Sequence, residues 1–483
     1  MSETIQTCRE VPVTDSVDVL VVGAGIAGSV AAVAAAREGA RTLVVDRFGY
    51  PGGNLGPGMI CGAPDMEPPP AFADGLPGVP GEFVGRCEAH THAPLLRHYF
   101  RDSQVMVYVW LRMFEAAGVQ TLFNVWASEP IMDGRRVAGL VVEAKDGPRA
   151  IRARVVIDAT GDADVAARAG APTDEGRALF NPGAYFAMAN VDVRRYLREA
   201  ADAPQDPADA AWMERVAPEL SERFRFLMPL AGYYRAAWEA GEYRFVREVP
   251  GLGQIFCDHG IFRGVVGVQY RKDPLRLGKY GLVGAMVGFR GPDAGPTSGS
   301  ADVMTTLETA ARTFIFETAQ FLVRRVPGFE KAYLHMVSPY YNCRGGRSFI
   351  PEYRFTDADL AEGRRHDDVV FLGQSHRIDP AGGEVRYGQT FDWPYRQLLP
   401  REVEGLLGAG RASIVPPPHG LRSRWKMLMT GQAAGVAAAL SARQGVVPRA
   451  LDVTGLQSVL HHTYGVPLAV DADRLAQLGL KGV

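Results

Sequence analysis

No CxxC pair occurs among the five cysteines, Cys8, Cys61, Cys87, Cys257 and Cys343. Zinc ribbons, cluster ligation and dithiol exchange therefore have no footing, and buried or idle thiols are expected. Neither sign of charge dominates: 52 basic residues face 54 acidic ones, for a net charge of -2. With no basic run and no charged tail, nothing points to a nucleic-acid partner. The chain also lacks a long uninterrupted apolar run. Leu20 to Ala36 comes nearest, but Gly23, Gly25 and Gly28 break it and strand patterns flank it, so it reads as a buried βα unit and no membrane span is expected. The opening MSETIQTCREVPVTDS holds neither an apolar signal core nor a twin arginine, which makes a cytoplasmic location the expectation. What is present is 483 residues, 47% of them hydrophobic, enough for two or three domains around a large core.

The stretch from Val17 to Arg47, VDVLVVGAGIAGSVAAVAAAREGARTLVVDR, reads as strand, glycine turn, helix and strand. Val17 to Val22 is the β-branched run of a buried parallel strand. Gly23 permits the tight turn, Gly25 lets backbone amides approach a pyrophosphate at the positive end of the next helix, and Gly28 lets that helix pack on the strand. Ala27 lies within the same loop. The second strand ends in Asp46, the carboxylate that would hold a ribose hydroxyl, with Arg47 beside it. Strand before, helix after and acid about 20 residues on make this a dinucleotide site, where GxGxxG alone is weak.

Phe48 to Pro80 is a glycine- and proline-rich loop in which Gly52, Gly53 and Asn54 are the candidate ligand contacts. Glu82 to His98 and Asp102 to Ala117 read as helices, and Val119 to Val125 as a strand. Ile131 to Glu143 and Arg149 to Ile157 read as antiparallel strands about turns at Asp133-Gly134 and Asp146-Gly147. Asp158 to Asp164, DATGDAD, then repeats the sequence of strand, turn and acid. From 173 to 331 no phosphate-binding glycine turn appears. Helices are expected at Pro207 to Arg225 and Thr305 to Arg325, and strands at Gln254 to Cys257, Ile261 to Val268 and Tyr280 to Phe289. This is read as an inserted α+β domain that shapes a substrate pocket, between residues 1–172 and 332–483 of a Rossmann-like α/β domain with a parallel sheet and a β-meander. His90, His92 and His98 lack a convincing set of partner ligands, so no metal is expected. Met427 to Gln444 is a long helix whose Gly431 and Gly435, one turn apart, let it lie close to a neighbouring strand or ligand.

The pieces GAGIAG, VVIDATGDADVAARAGA, VPGFEKAYL with RGGRSFIPEYRFTDADL, WPYRQLLPREVEGLLGAGRAS and GQAAGVAAAL occur in this order. With them the chain resembles the FAD-dependent oxidoreductases related to the flavoprotein subunits of fumarate reductase and succinate dehydrogenase. The resemblance implies extended FAD, with Gly23, Gly25 and Gly28 at the pyrophosphate and Asp46 at the adenosine ribose. It implies further that Val125 touches the adenine through its backbone, that Thr160, Gly161 and Asp162 lie along the cofactor, that Gly410 and Arg411 lie near the ribityl chain, and that Met427 and Leu428 face the flavin pyrimidine. Pro418 to Arg422 is similar to the stretch that holds a substrate carboxylate in fumarate-reductase-like enzymes, which makes His419 a candidate proton carrier and Arg422 an anion clamp. Arg344, Arg347, Tyr387, Tyr395, Arg396 and Lys426 are candidates to line the pocket, widened by Gly345-Gly346. The implied activity is hydride transfer between a small organic substrate and flavin N5, by a dehydrogenase or reductase served where needed by an external electron donor or acceptor. Flavin monooxygenases or halogenases using oxygen, and an electron-transfer subunit docking an iron–sulfur partner, are the alternatives.

Overall fold

The computed structural model describes residues 5, 8–59, 72, 75–90, 103–175, 183–218, 220, 228–258, 280–290, 300–342, 346–378, 385–413 and 423–480. Strand β1 (Val13–Val22), helix α1 (Ile26–Arg37) and strand β2 (Thr42–Asp46) open the chain. Helices α2 (Gly78–His90) and α3 (Ser103–Ala117) follow, then strands β3 (Gln120–Phe123), β4 (Trp126–Asp133), β5 (Arg136–Ala144) and β6 (Gly147–Asp158). β2 and β6 flank β1 in parallel, β3 extends the sheet beside β2, and β16 (Leu406–Gly408) returns from far down the chain to pair in parallel with β6. On the edge away from β1, β6 is long enough to serve two partners. Its first half pairs antiparallel with β5, which pairs with β4, so the parallel sheet and the meander are one seven-stranded sheet.

Alternation along β1 divides the core. Over Val19 to Val22, Val19 and Val21 join the helices α1 and α3, whereas Leu20 and Val22 join Val137, Leu140 and Val142 of the meander. Because both faces are covered, the inner half of β1, Val19 to Val22, is apolar without interruption rather than alternating.

The second body begins beyond helix α4 (Asp164–Arg168) and strand β7 (Thr173–Glu175). Its strands β8 (Gly183–Asp192), β9 (Val246–Val249), β10 (Gly253–Asp258), β11 (Tyr280–Arg290) and β12 (Tyr333–Val337) form an antiparallel sheet in the order β12-β8-β11-β10-β9. Helices α5 (Pro207–Val216), α6 (Ala231–Glu239) and α7 (Ala301–Arg325) contribute to a core of its own. α5 stops at Val216, well short of Arg225, because Pro218 follows and disfavours helical backbone just before it. The expected strand Ile261 to Val268 lies outside the described residues.

Strand β13 (Arg347–Phe349) then pairs back onto β7, and helix α8 (Asp357–Glu362) leads to the hairpin of β14 (Val369–Ile378) and β15 (Val385–Pro394). Beyond β16 comes the long helix α9 (Arg424–Gln444). Ser423 starts it three residues before the sequence suggests, its hydroxyl accepting from the Lys426 N–H. α2 begins earlier than expected too, because the Gln432 side chain on α9 accepts from the Val79 N–H, a cap supplied from 353 residues away. A side chain at Gly431 or Gly435 would strike the carbonyl of Ala27 or Ala31, so the close neighbour of α9 is helix α1 rather than a strand or ligand. Helices α10 (Val453–His462) and α11 (Ala472–Gln477) close the described chain. Among the described residues no helix is long and apolar enough to cross a membrane.

Candidate functional site

The site is built on the turn after β1. Gly23 adopts φ 101°, a left-handed conformation that favours glycine, and a Cβ there would lie 2.5 Å from the Ala159 carbonyl oxygen. The phosphate loop thus rests directly on the segment following β6. Gly28 is equally constrained, facing the Gly23 carbonyl and the Ala159 side chain, whereas nothing lies within 4 Å of where a Gly25 side chain would be. Gly53 presses its backbone against Gly25, with Gly52 N–H donating to the Ala24 carbonyl at 2.8 Å. α1 has no acid in its first turn, and no side chain caps it among the described residues. Its positive end is therefore available to an anion.

Asp46 closes the loop from the other side. Its carboxylate accepts the Ala24 N–H at 2.6 Å and the Phe48 N–H at 2.8 Å, one on each oxygen. Each oxygen keeps lone-pair capacity for a ribose hydroxyl. Burial pushes this carboxyl above the ordinary range, and the two backbone donors pull it back. Val125 sits beside it with its N–H donating to the Asp46 carbonyl at 3.1 Å, which leaves the Val125 carbonyl as its remaining backbone group. Arg47 is exposed, its guanidinium 4.8 Å from the Phe48 ring centre and 5.4 Å from that of Trp126.

The loop 158–164 is the third wall. Asp158, fully buried, accepts from the Thr160 N–H at 3.1 Å, the Thr160 hydroxyl at 2.7 Å and the Ala166 N–H at 2.9 Å. Its burial outweighs those donors and pushes its pKa up to about 6. Arg411 reaches Asp162 at 2.6 Å and lies against Gly161. Arg347 donates from Nε to the Asp162 carbonyl at 3.0 Å and forms an ion pair with Asp164 at 2.7 Å. Gly410 touches Ala27 of the first turn of α1 and donates its N–H to the Thr430 hydroxyl of α9 at 3.0 Å. Gly23, Gly25, Ala27, Gly28, Asp46, Thr160, Gly161, Asp162, Gly410 and Arg411 therefore converge on one cradle, drawn from three separate parts of the chain. The open space at Gly25 and the uncapped helix end suit a pyrophosphate, and Asp46 suits a ribose.

Other candidates are placed differently. Asn54 accepts from the Tyr340 hydroxyl at 2.8 Å, and Asn342 donates to the Gly58 carbonyl at 3.0 Å, so the second body grips the loop next to Gly53. Met427 and Leu428 are buried in the first turns of α9, beside a fully buried Lys426 whose ammonium lies 5.1 Å from the Trp425 ring. Arg347 joins the 158–164 loop. The buried Tyr395 donates its hydroxyl to the Pro448 carbonyl at 2.9 Å, and Arg396 pairs with Asp368 at 2.9 Å. Tyr387 is half-buried on β15. Arg344, His419 and Arg422 lie outside the described residues. Nothing in the local sequence marks Thr430, Tyr340 and Asn342, whose partners lie 20, 286 and 284 residues away.

The sequence pattern of the family described as FAD dependent oxidoreductase matches residues 18–460. Over 164 residues the chain is 35% identical to the thiamine thiazole synthase of Aeropyrum pernix, an alignment covering 31% of this chain and 57% of that protein. The chain thus spans little more than half the length of that curated relative. Among solved structures, a geranylgeranyl bacteriochlorophyll reductase-like protein from Thermoplasma acidophilum superposes with a TM-score of 0.40 at 12% identity, over 93% of this chain and 84% of that one. The aromatic hydroxylase CabE from angucycline biosynthesis does so with a TM-score of 0.39 at 16% identity, over 93% and 66%.

Proposed function

This chain belongs to the FAD-dependent oxidoreductase family, and we propose that it transfers a hydride between a small organic molecule and N5 of the flavin, as a dehydrogenase or reductase. The observation that carries the reading is the convergence of the phosphate loop, the 158–164 loop and Gly410-Arg411, with α9 laid along α1. A cradle closed by a distant C-terminal segment suits a cofactor longer than one nucleotide. FAD, when bound, supplies the two-electron acceptor, and the protein's part is to hold and tune it.

In this assignment Gly23, Gly25 and Gly28 hold the pyrophosphate, Asp46 the ribose, and Gly410 and Arg411 the ribityl region. The N-terminal turn of α9, at Met427 and Leu428, faces the flavin pyrimidine, where the positive end of a 21-residue helix stabilises negative charge. His419 carries the proton, and Arg422 holds an anionic substrate group in the manner of fumarate-reductase-like enzymes. Tyr340 and Asn342, gripping the loop beside Gly53, bring the second body to the site, which supports the reading of residues 173–331 as the source of substrate selectivity.

The experiment is anaerobic reduction of the flavin-loaded protein by panels of carboxylic acids, alcohols and amines. One class is expected to bleach the flavin band without oxygen, and His419→Ala to slow that bleaching by about a hundredfold. A protein that stays oxidised under every panel, yet consumes oxygen and oxygenates or halogenates an organic substrate once reduced, would overturn the hydride-transfer reading. A folded protein that is colourless and refuses added FAD would remove its foundation.

A further inference from the structure

We propose that Arg347 and Arg411 are charge neutralisers for the 158–164 loop, cancelling the carboxylates of Asp162 and Asp164 so that the pyrophosphate of FAD can be held beside them; this rests on the FAD assignment above. Ala159 touches Gly23, so the loop lies directly against the phosphate loop. Besides the buried Asp158, the loop brings two partly exposed carboxylates, Asp162 and Asp164, to the edge of this candidate anion site. Burial raises the Asp164 carboxyl first and the neighbouring Asp162 charge raises it further, while Arg347 opposes both. Like charges in such a place repel one another and repel a third.

The compensation comes from the far end of the chain. Arg411 is 249 residues from Asp162, and Arg347 is 183 residues from Asp164. The guanidinium of Arg347 is split, Nε on the Asp162 carbonyl and one terminal nitrogen on the Asp164 carboxylate, so its planar fork both spans the loop and discharges it. β13 pairs with β7 at Arg347 and Glu175, which holds the base of that arginine in register with the chain leaving the loop. This gives Arg347 a positioning role toward the cofactor, in place of the substrate contact that its RGGR context suggests.

The test uses the full chain, stripped of flavin and titrated with FAD and with ADP, which carries the pyrophosphate and adenosine without the flavin. Arg347→Gln is expected to weaken both by about tenfold, and Arg347→Lys by far less. Asp164→Asn is expected to bind both at least as tightly as the wild type, and the double variant Arg347→Gln/Asp164→Asn to recover most of the loss. A strut with no electrostatic role would not be rescued by removing a second partner. The proposal is overturned if Arg347→Gln binds ADP like the wild type, or if the double variant is as weak as the single one. If Arg347→Gln does not fold, Asp164→Asn decides alone, since a tenfold loss there contradicts neutralisation. Wild-type protein that binds neither ligand refutes the FAD assignment itself, a result distinct from all of these.

Discussion

The two bodies of this chain are held together by opposite means. In the body built on the seven-stranded sheet, α1 and α9 meet through Ala27, Ala31, Gly431 and Gly435, backbone against backbone, with no room for a methyl group. In the second body the centre is a stack of rings: Tyr234, Tyr243 and Phe321 lie nearly parallel, with centroids 4.5 to 6.3 Å apart, bordered by Phe245 and Phe314. The first arrangement leaves the two helices a single close approach, since a Cβ at Gly431 or Gly435 would lie 2.2 or 2.3 Å from a carbonyl oxygen of α1. The second needs apolar volume and tolerates more than one way of filling it.

The sharpest way to break this contrast is to put a methyl group where the first body has none. The double variant Gly431→Ala/Gly435→Ala gains helix propensity but drives two Cβ atoms into the carbonyls of Ala27 and Ala31. A net loss of about 4 kcal/mol is expected in a urea melt, together with loss of FAD binding, because Ala27 belongs to the phosphate loop. A variant that melts like the wild type would show that the two helices can slide apart freely.

Electrostatics sets the cradle apart from the rest of the surface. Asp46, Asp158 and Asp164 around the cradle are all pushed upward by burial, whereas Glu82 of α2 and Glu199 and Glu242 of the second body are drawn down by Arg37, Arg195 and Arg325. For Asp158 the folded pKa of about 6 stands above the unfolded value, so the folded state binds the extra proton. Its contribution therefore favours folding at low pH and is lost as pH rises from about 4 to 6, a change on the order of 3 kcal/mol. Asp158→Asn should flatten the dependence of the urea midpoint on pH across that window. A slope left unchanged by the substitution would mean that the three donors keep Asp158 ionised throughout.

The same contrast explains what could be read from the chain beforehand. Gly23, Gly25, Gly28 and Asp46 are legible because they sit at a fixed spacing; Gly23 and Gly28 also answer a backbone constraint, as do the glycines of the turns at Asp133-Gly134 and Asp146-Gly147. The parallel sheet and meander followed from them. Partnerships between distant side chains were not legible. Arg347 within RGGR reads as a candidate to line the pocket, and only its bonds to Asp162 and Asp164 tie it to the 158–164 loop. Gln432 capping α2 and Tyr340 holding Asn54 are of the same kind: a polar side chain carries no local record of the partner the fold will bring to it. The limits of the second body's elements were weakly marked because packed rings impose no period of their own.

The smallest effect expected is at the heart of the ring stack. Phe321 is almost fully buried, with its ring stacked 4.5 Å from Tyr243 and 5.2 Å from Tyr234. Phe321→Leu keeps most of the apolar burial and forfeits both ring contacts, and the void left is small enough for Tyr234 and Phe314 to relax into. About 1.5 kcal/mol should be lost in the urea melt, well below the glycine double variant, with FAD affinity unchanged. The second half of that expectation is the more informative, because the second body meets the loop beside Gly53 through Tyr340 and Asn342, neither of which belongs to the ring stack. If Phe321→Leu weakened FAD binding severalfold while costing so little stability, the ring stack would have to be setting the position of residues 340–342, and the second body would share the close tolerance of the first.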